Sequence, residues 1–171
     1  QTLRADLYLR PATRSNVSVE ATVSPEVEEA VRRHPQVAGV DRFRNFTLPY
    51  GDGLVTLGAG DFHVLIEHGK LLIKEPSGQV EALREAIGRD AVVVSESFSL
   101  KHSVHAGDHV TLGMPGGLKD FRVVAVYYDY SNDRGVIVMD QRTLAGHFGP
   151  LAPTSLTIYL RPGASADTVR A

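Results

Sequence analysis

No cysteine occurs anywhere in the 171 residues. That excludes a disulfide framework, a cysteine-ligated zinc site and a thiol nucleophile, and it fits an oxidising compartment without establishing one. No run approaches the roughly 18 apolar residues that cross a bilayer. Gln1 opens directly on strand-like sequence, and no signal peptide is expected within these residues. Neither charge dominates: 18 Lys and Arg stand against 20 Asp and Glu, a formal −2. A nucleic-acid partner is therefore not expected, since such binding rests on neutralising phosphates. The densest basic pair, Arg32-Arg33, sits near a helix end with no aromatic stripe beside it. Gly51-Asp-Gly53 and Gly58-Ala-Gly60 match neither a dinucleotide fingerprint nor a P-loop. They read as turns, and no cofactor is expected.

What is present is ordinary globular sequence, 43% hydrophobic, long enough to bury roughly 70% of its unfolded surface without a staple. Ala5–Arg10 alternates apolar and polar residues as a half-buried strand does, and a second short strand is expected at Val17–Val23. Ser24-Pro25 opens a helix: serine caps orphan N–H groups and proline at the first position forfeits no bond. Glu26, Glu28 and Glu29 suit its positive end, Arg32, Arg33 and His34 its negative end. Val27, Ala30 and Val31 line one face, and Pro35 stops it. A strand then runs to about Tyr50.

Ser77–Gly88 patterns as an amphipathic helix with Val80, Leu83 and Ile87 inward. Ala91–Val94 is a buried-strand run, Ser95–Val104 a short helix, and His109–Leu112 with Phe121–Tyr128 a hairpin around Pro115-Gly-Gly117. Gly135–Met139 is a strand. Asp140 caps a helix over Gln141–Phe148, and Ser155–Leu160 is the last strand before a final helix. Strand–helix–strand at the front and back frames a β-rich middle. The class is α+β, a mixed or antiparallel sheet packed on helices.

His102, His105, Asp108 and His109 form the only metal-like grouping. Gly107 breaks the helical spacing and no further ligand is near in sequence, so no metal is expected. Ser95, Glu96 and Ser97 lack a nucleophile elbow, and a helix cap accounts for Ser95. Asp129, Asp133 and Asp140 lack the glycine and closing glutamate of a calcium loop. No catalytic residue is expected. Tyr127, Tyr128 and Tyr130 alternate across a strand end. Tyr128, Tyr130, Asp133 and Arg134 are the candidate partner-contact residues, with rings covering the core edge and Arg134 paired to an aspartate as the structural alternative.

Several stretches of the second half also carry a family likeness. Ala91-Val-Val-Val-Ser-Glu-Ser-Phe98, His105-Ala-Gly-Asp-His-Val-Thr-Leu112, Phe121-Arg-Val-Val-Ala-Val126 and Ser155-Leu-Thr-Ile-Tyr-Leu-Arg-Pro-Gly163 resemble, in order and spacing, the extracytoplasmic domain of FtsX/MacB/LolC-type ABC transporter permeases. Ala125 stands where that family usually has glycine. Tyr127–Gly135 most resembles the second such domain of long two-domain permeases. The resemblance implies a Porter-like mixed sheet with helices on one face, residues 1–50 and 118–171, and a small β-rich Sabre-like insertion, 51–117. It implies an extracytoplasmic, periplasmic-side position in an inner-membrane protein. Flanking transmembrane helices and a cytoplasmic ABC ATPase subunit follow as partners, together with a periplasmic partner or a lipophilic, lipoprotein or peptide substrate. Both ends are accordingly expected to continue into membrane helices. The competing expectations are a sensor or ligand-binding module of a membrane receptor and, third, a hydrolase.

Overall fold

The computed structural model describes residues 6–11 and 21–170. Its strands are β1 (Leu7–Leu9), β2 (Val37–Tyr50), β3 (Gly53–Gly60), β4 (Ile73–Glu75), β5 (Ala91–Ser95), β6 (His109–Met114), β7 (Gly117–Tyr127), β8 (Val136–Asp140) and β9 (Ser155–Leu160). The helices are α1 (Pro25–Arg33), α2 (Phe62–Glu67), α3 (Glu96–His102), α4 (Gln141–Phe148) and α5 (Ala166–Arg170), with a 3₁₀ turn at Val80–Ala86. The strands join in the order β1-β9-β2-β3-β8-β5-β7-β4, with β6 on β7. Among the described strands only β3/β8 and β5/β7 are parallel pairs.

One long strand organises this sheet. Val37–Phe43 of β2 pairs with β9, and Arg44–Tyr50 pairs with β3. A bulge between Val37 and Gly39 resets the alternation, so Val37 and Val40 both face one side while Asp41 and Phe43 face the other. In the β1-β9-β2 half, Leu7, Val37, Val40, Leu156 and Ile158 pack with Val31 of α1 and Val169 of α5. Among the described residues no helix is dedicated to the opposite face of this half. In the β3-β8-β5-β7 half both faces are covered. Leu57, Val92, Ile137 and Met139 meet Phe98 of α3 and Leu144 of α4. Val93, Val136 and Val138 meet Phe62 and Leu65 of α2 and Leu83 of the 3₁₀ turn. Burial on both faces explains why β5 and β8 read as unbroken apolar runs.

Most expected elements stand where the sequence places them. The Ser24 side chain accepts from Val27 N, and the Asp140 side chain accepts from Arg142 N. Four expectations differ. Val27 is 41% exposed and α1 buries no residue completely, since only Val31 of the expected stripe turns to the sheet. The region 77–88 forms a 3₁₀ turn, in which Val80, Leu83 and Ala86 align at spacing three. Gly58 and Gly60 lie inside β3 instead of in a turn. Of the strand expected at Val17–Val23, residues 17–20 lie outside the described residues and Ala21–Val23 are not strand. The strands of 51–117 also interleave with those of 118–171, β3 pairing with β8 and β5 with both β7 and β8.

Candidate functional site

The bare face of β1-β9-β2 continues onto the floor of the other half and forms a groove of about 1000 Å³. Alternation in β1 turns Asp6, Tyr8 and Arg10 toward it, and alternation in β2 turns Asp41, Phe43 and Asn45. Val93, Val136 and Val138 supply an apolar floor, and Leu65, His68 and Leu71 a partial roof. Two glycines of β3 let neighbouring side chains lean in. A β-carbon on Gly58 would lie 2.7 Å from Phe43 Cζ, and one on Gly60 3.1 Å from Asp41 Oδ2.

At the inner end of the groove the two halves of the sheet are tied by three buried aspartates. Asp41, 1% exposed, accepts from Asp61 N at 2.5 Å. Asp61 caps α2 through His63 N and accepts from Gln141 Nε2 at 3.0 Å. Asp140 accepts from Phe62 N and Gly88 N, both at 3.1 Å. Arg142 Nη1 lies 3.5 Å from Asp61 Oδ1 and 3.3 Å from Asp140 Oδ1. Burial raises the Asp41 carboxyl to about 7, and the neighbouring Asp61 and Asp140 carboxylates push the same way against the bond from Asp61 N. Beside it the Tyr159 ring stacks on His68, centroids 5.7 Å apart, and burial holds the Tyr159 hydroxyl well above its ordinary value. Sequence reasoning identified only Asp140 here. A charged residue inside the run Val40-Asp41, and an aspartate between a strand and the apolar Phe62, were the available signals.

The residues singled out from sequence are dispersed. His102 packs between the rings of Phe98 and Tyr50, at 4.6 and 4.8 Å, and burial lowers its pKa, with Lys101 adding to the effect. His105 Nδ1 lies 3.1 Å from Glu75 Oε1, and Asp108 accepts from His105 N. His109 points outward from β6. No group of three His, Asp or Glu placed to hold a metal occurs among the described residues. Ser95 is fully buried, and its Oγ accepts from Phe98 N at 3.3 Å and Val136 N at 2.9 Å while meeting Ser97 Oγ at 3.0 Å. Glu96 pairs with Lys74 at 2.7 Å. Asp129 forms a turn with Ser131 N, Asp133 is exposed, and Asp140 lies at the far end of β8.

Alternation divides the tyrosines: Tyr127 is buried, whereas Tyr128 and Tyr130 stack on each other at 6.3 Å with Tyr130 78% exposed. Lys74 Nζ sits 6.0 Å from the Tyr128 ring. Arg134 N donates to Asn132 Oδ1, and no ion pair between Arg134 and an aspartate occurs among the described residues.

A mixed sheet shared by two halves, a large groove across it and polar side chains spent on caps and joints define a packed α+β module. Comparison with known proteins places it. The MacB-like periplasmic core domain profile matches residues 2–171, and the chain belongs to that family, the extracytoplasmic domain of FtsX/MacB-type permeases. It is 26% identical over 174 residues to a Mycobacterium tuberculosis protein named as an uncharacterized ABC transporter permease, covering 98% of this chain but only 20% of that protein. The periplasmic region of MacB from Actinobacillus actinomycetemcomitans superposes with a TM-score of 0.62 at 11% identity, covering 95% of this chain and 77% of that one. The extracellular domain of the ABC-type transporter YknZ from Gram-positive bacteria gives 0.60 at 16% identity, covering 87% and 77%. At these identities the two structures establish the fold alone. Among the described residues no helix is long and apolar enough to cross a membrane.

Proposed function

We propose that this chain is the non-catalytic extracytoplasmic module of an ABC transporter permease. It carries motion from membrane helices, driven by a cytoplasmic ATPase, to a lipophilic, lipoprotein or peptide substrate or to a partner on the periplasmic side. The family match over residues 2–171 carries this reading. The architecture supports it: β2 runs unbroken through both halves of the sheet, so a push on one half is delivered to the other without slack. For Ser95 the polar chemistry supports a structural role, since its hydroxyl is buried and accepts from Phe98 N and Val136 N.

Two finer readings belong with it. The core clusters part within β2, which favours drawing the Porter-like unit around β1, β9, α1, α5 and Val37–Phe43 of β2, and the inserted unit around the remaining strands, in place of the expected bounds 1–50 with 118–171 and 51–117. The exposed Tyr130 stacked on Tyr128, next to Asp133 and Arg134, forms the contact surface for a partner.

These 171 residues contain no cysteine, so a label placed in them is unique once any cysteines elsewhere in the permease and its ATPase are replaced. Single cysteines at Leu118 and Tyr130, both exposed, are spin-labelled in the full permease reconstituted with its ATPase. Distances from each label to a fixed label on a membrane helix should change between nucleotide-free and ATP-trapped states. Unchanged distances in a complex that hydrolyses ATP would overturn the coupling reading.

A further inference from the structure

The groove is larger than the joint between the sheet halves requires, and about 1000 Å³ lies at the top of the range for small-molecule sites. Its lining divides by burial. Val93 and Val138 stand opposite each other across β5 and β8, and Val136 continues their row. Leu65 and Leu71 lean over that floor. At the rim, Arg10 and Lys70 are exposed cations without an ion pair among the described residues. Two acids share the rim with these cations: Asp6 accepts from Leu160 N at 2.7 Å, and Asp129 accepts from Ser131 N and Oγ.

We propose that this groove binds one anionic amphiphile, its hydrocarbon chain along the Val93, Val136 and Val138 floor and its carboxylate or phosphate held by Arg10 and Lys70. An extended peptide fits less well. It would bring an N–H and a C=O every residue to a floor made of a sheet face, whose own backbone groups are spent in the ladders. A hydrocarbon chain makes no such demand, and a single anionic head matches the two free cations at the rim. The choice of a lipophilic cargo rests on the permease reading; the groove and its charge pattern do not.

Binding is measured on the 171-residue chain by displacement of a fluorescent fatty-acid analogue, with palmitate, lysophosphatidylglycerol and hexadecanol each kept at monomeric concentration and an uncharged extended peptide beside them. Saturable one-to-one binding of palmitate or lysophosphatidylglycerol is expected, and the preferred head distinguishes carboxylate from phosphodiester. The double variant R10E/K70E changes only exposed positions. It should weaken the anionic ligands by about tenfold or more and leave hexadecanol unchanged. Leu71→Asp should weaken all three, with unfolding midpoints confirming that both variants fold. Absence of saturation, tighter binding of the peptide, or equal affinity in R10E/K70E would overturn the proposal. If the labelled permease still moves with ATP while no amphiphile binds, only the groove assignment falls.

Discussion

Two residues show how much of this fold hangs on single positions. Gly135, the residue before β8, has φ +91°, and a β-carbon there would sit 2.9 Å from Phe98 Cβ and 3.0 Å from Phe98 Cα. Strained backbone and an immovable neighbour act together, so Gly135→Ala should destabilise by about 2–4 kcal/mol in a denaturant titration. Gly113 has open space at the same construction, and Gly113→Ala is expected to stay within about 0.5 kcal/mol of the native chain. Ser95 is the second position. Its hydroxyl serves Phe98 N and Val136 N, joining the start of α3 to the start of β8. Ser95→Ala leaves a buried N–H without its acceptor, a loss of about 2 kcal/mol. Retention of stability by Ser95→Ala would instead return attention to its oxygen as a chemical group.

At the level of elements, the sequence was most readable where one local signal decides. Ser24, Ser95 and Asp140 are caps because a side-chain oxygen next to a helix start has one natural use. The hairpin of β6 and β7 follows from alternation on both sides of Pro115-Gly-Gly117. Legibility failed where spacing served two periods. Val80, Leu83, Ala86 and Ile87 satisfy a helical stripe, and the chain uses the spacing-three subset. It failed again at Gly58 and Gly60, because a glycine inside a strand looks like a breaker until the side chain leaning over it is known. The groove was illegible for a further reason: β1, β2, α2 and β8 supply its walls from opposite ends of the chain, and no local pattern encodes that meeting. The tyrosine alternation was visible beforehand, and it yields a prediction for this element. Tyr130→Ala removes an exposed ring and should shift the unfolding midpoint by no more than about 0.5 kcal/mol. The same variant should weaken capture of the partner proposed for this surface about tenfold or more, as loss of an interface tyrosine does; unchanged capture would overturn the assignment of this surface.

For the whole molecule the decisive feature is the joint where β2 passes from one half of the sheet to the other. Asp41 is faced there by Asp61 at the start of α2, Asp140 at the end of β8, Arg32 of α1 and the Tyr159 hydroxyl of β9, with Arg142 reaching Asp61 and Asp140 from α4. The carboxyl titrates at about 7 in the fold against 3.8 as an ordinary aspartate. Between those values the folded chain holds a proton that the unfolded chain has released. The contribution of Asp41 to stability is therefore fully present below about pH 4, falls as pH rises to about 7 and is gone above it. The contribution has a ceiling of about 4 kcal/mol. Asn keeps an oxygen to accept from Asp61 N and removes the charge. Asp41→Asn should accordingly match the native chain near pH 4, become progressively more stable than it toward pH 8, and flatten this part of the pH profile. Urea titrations of both chains at pH 4.5, 6 and 8 decide the matter. A difference that shrinks or reverses as pH rises would mean that Asp41 is held ionised in the fold. The joint would then be a charge-paired one, tightened by alkali instead of loosened by it.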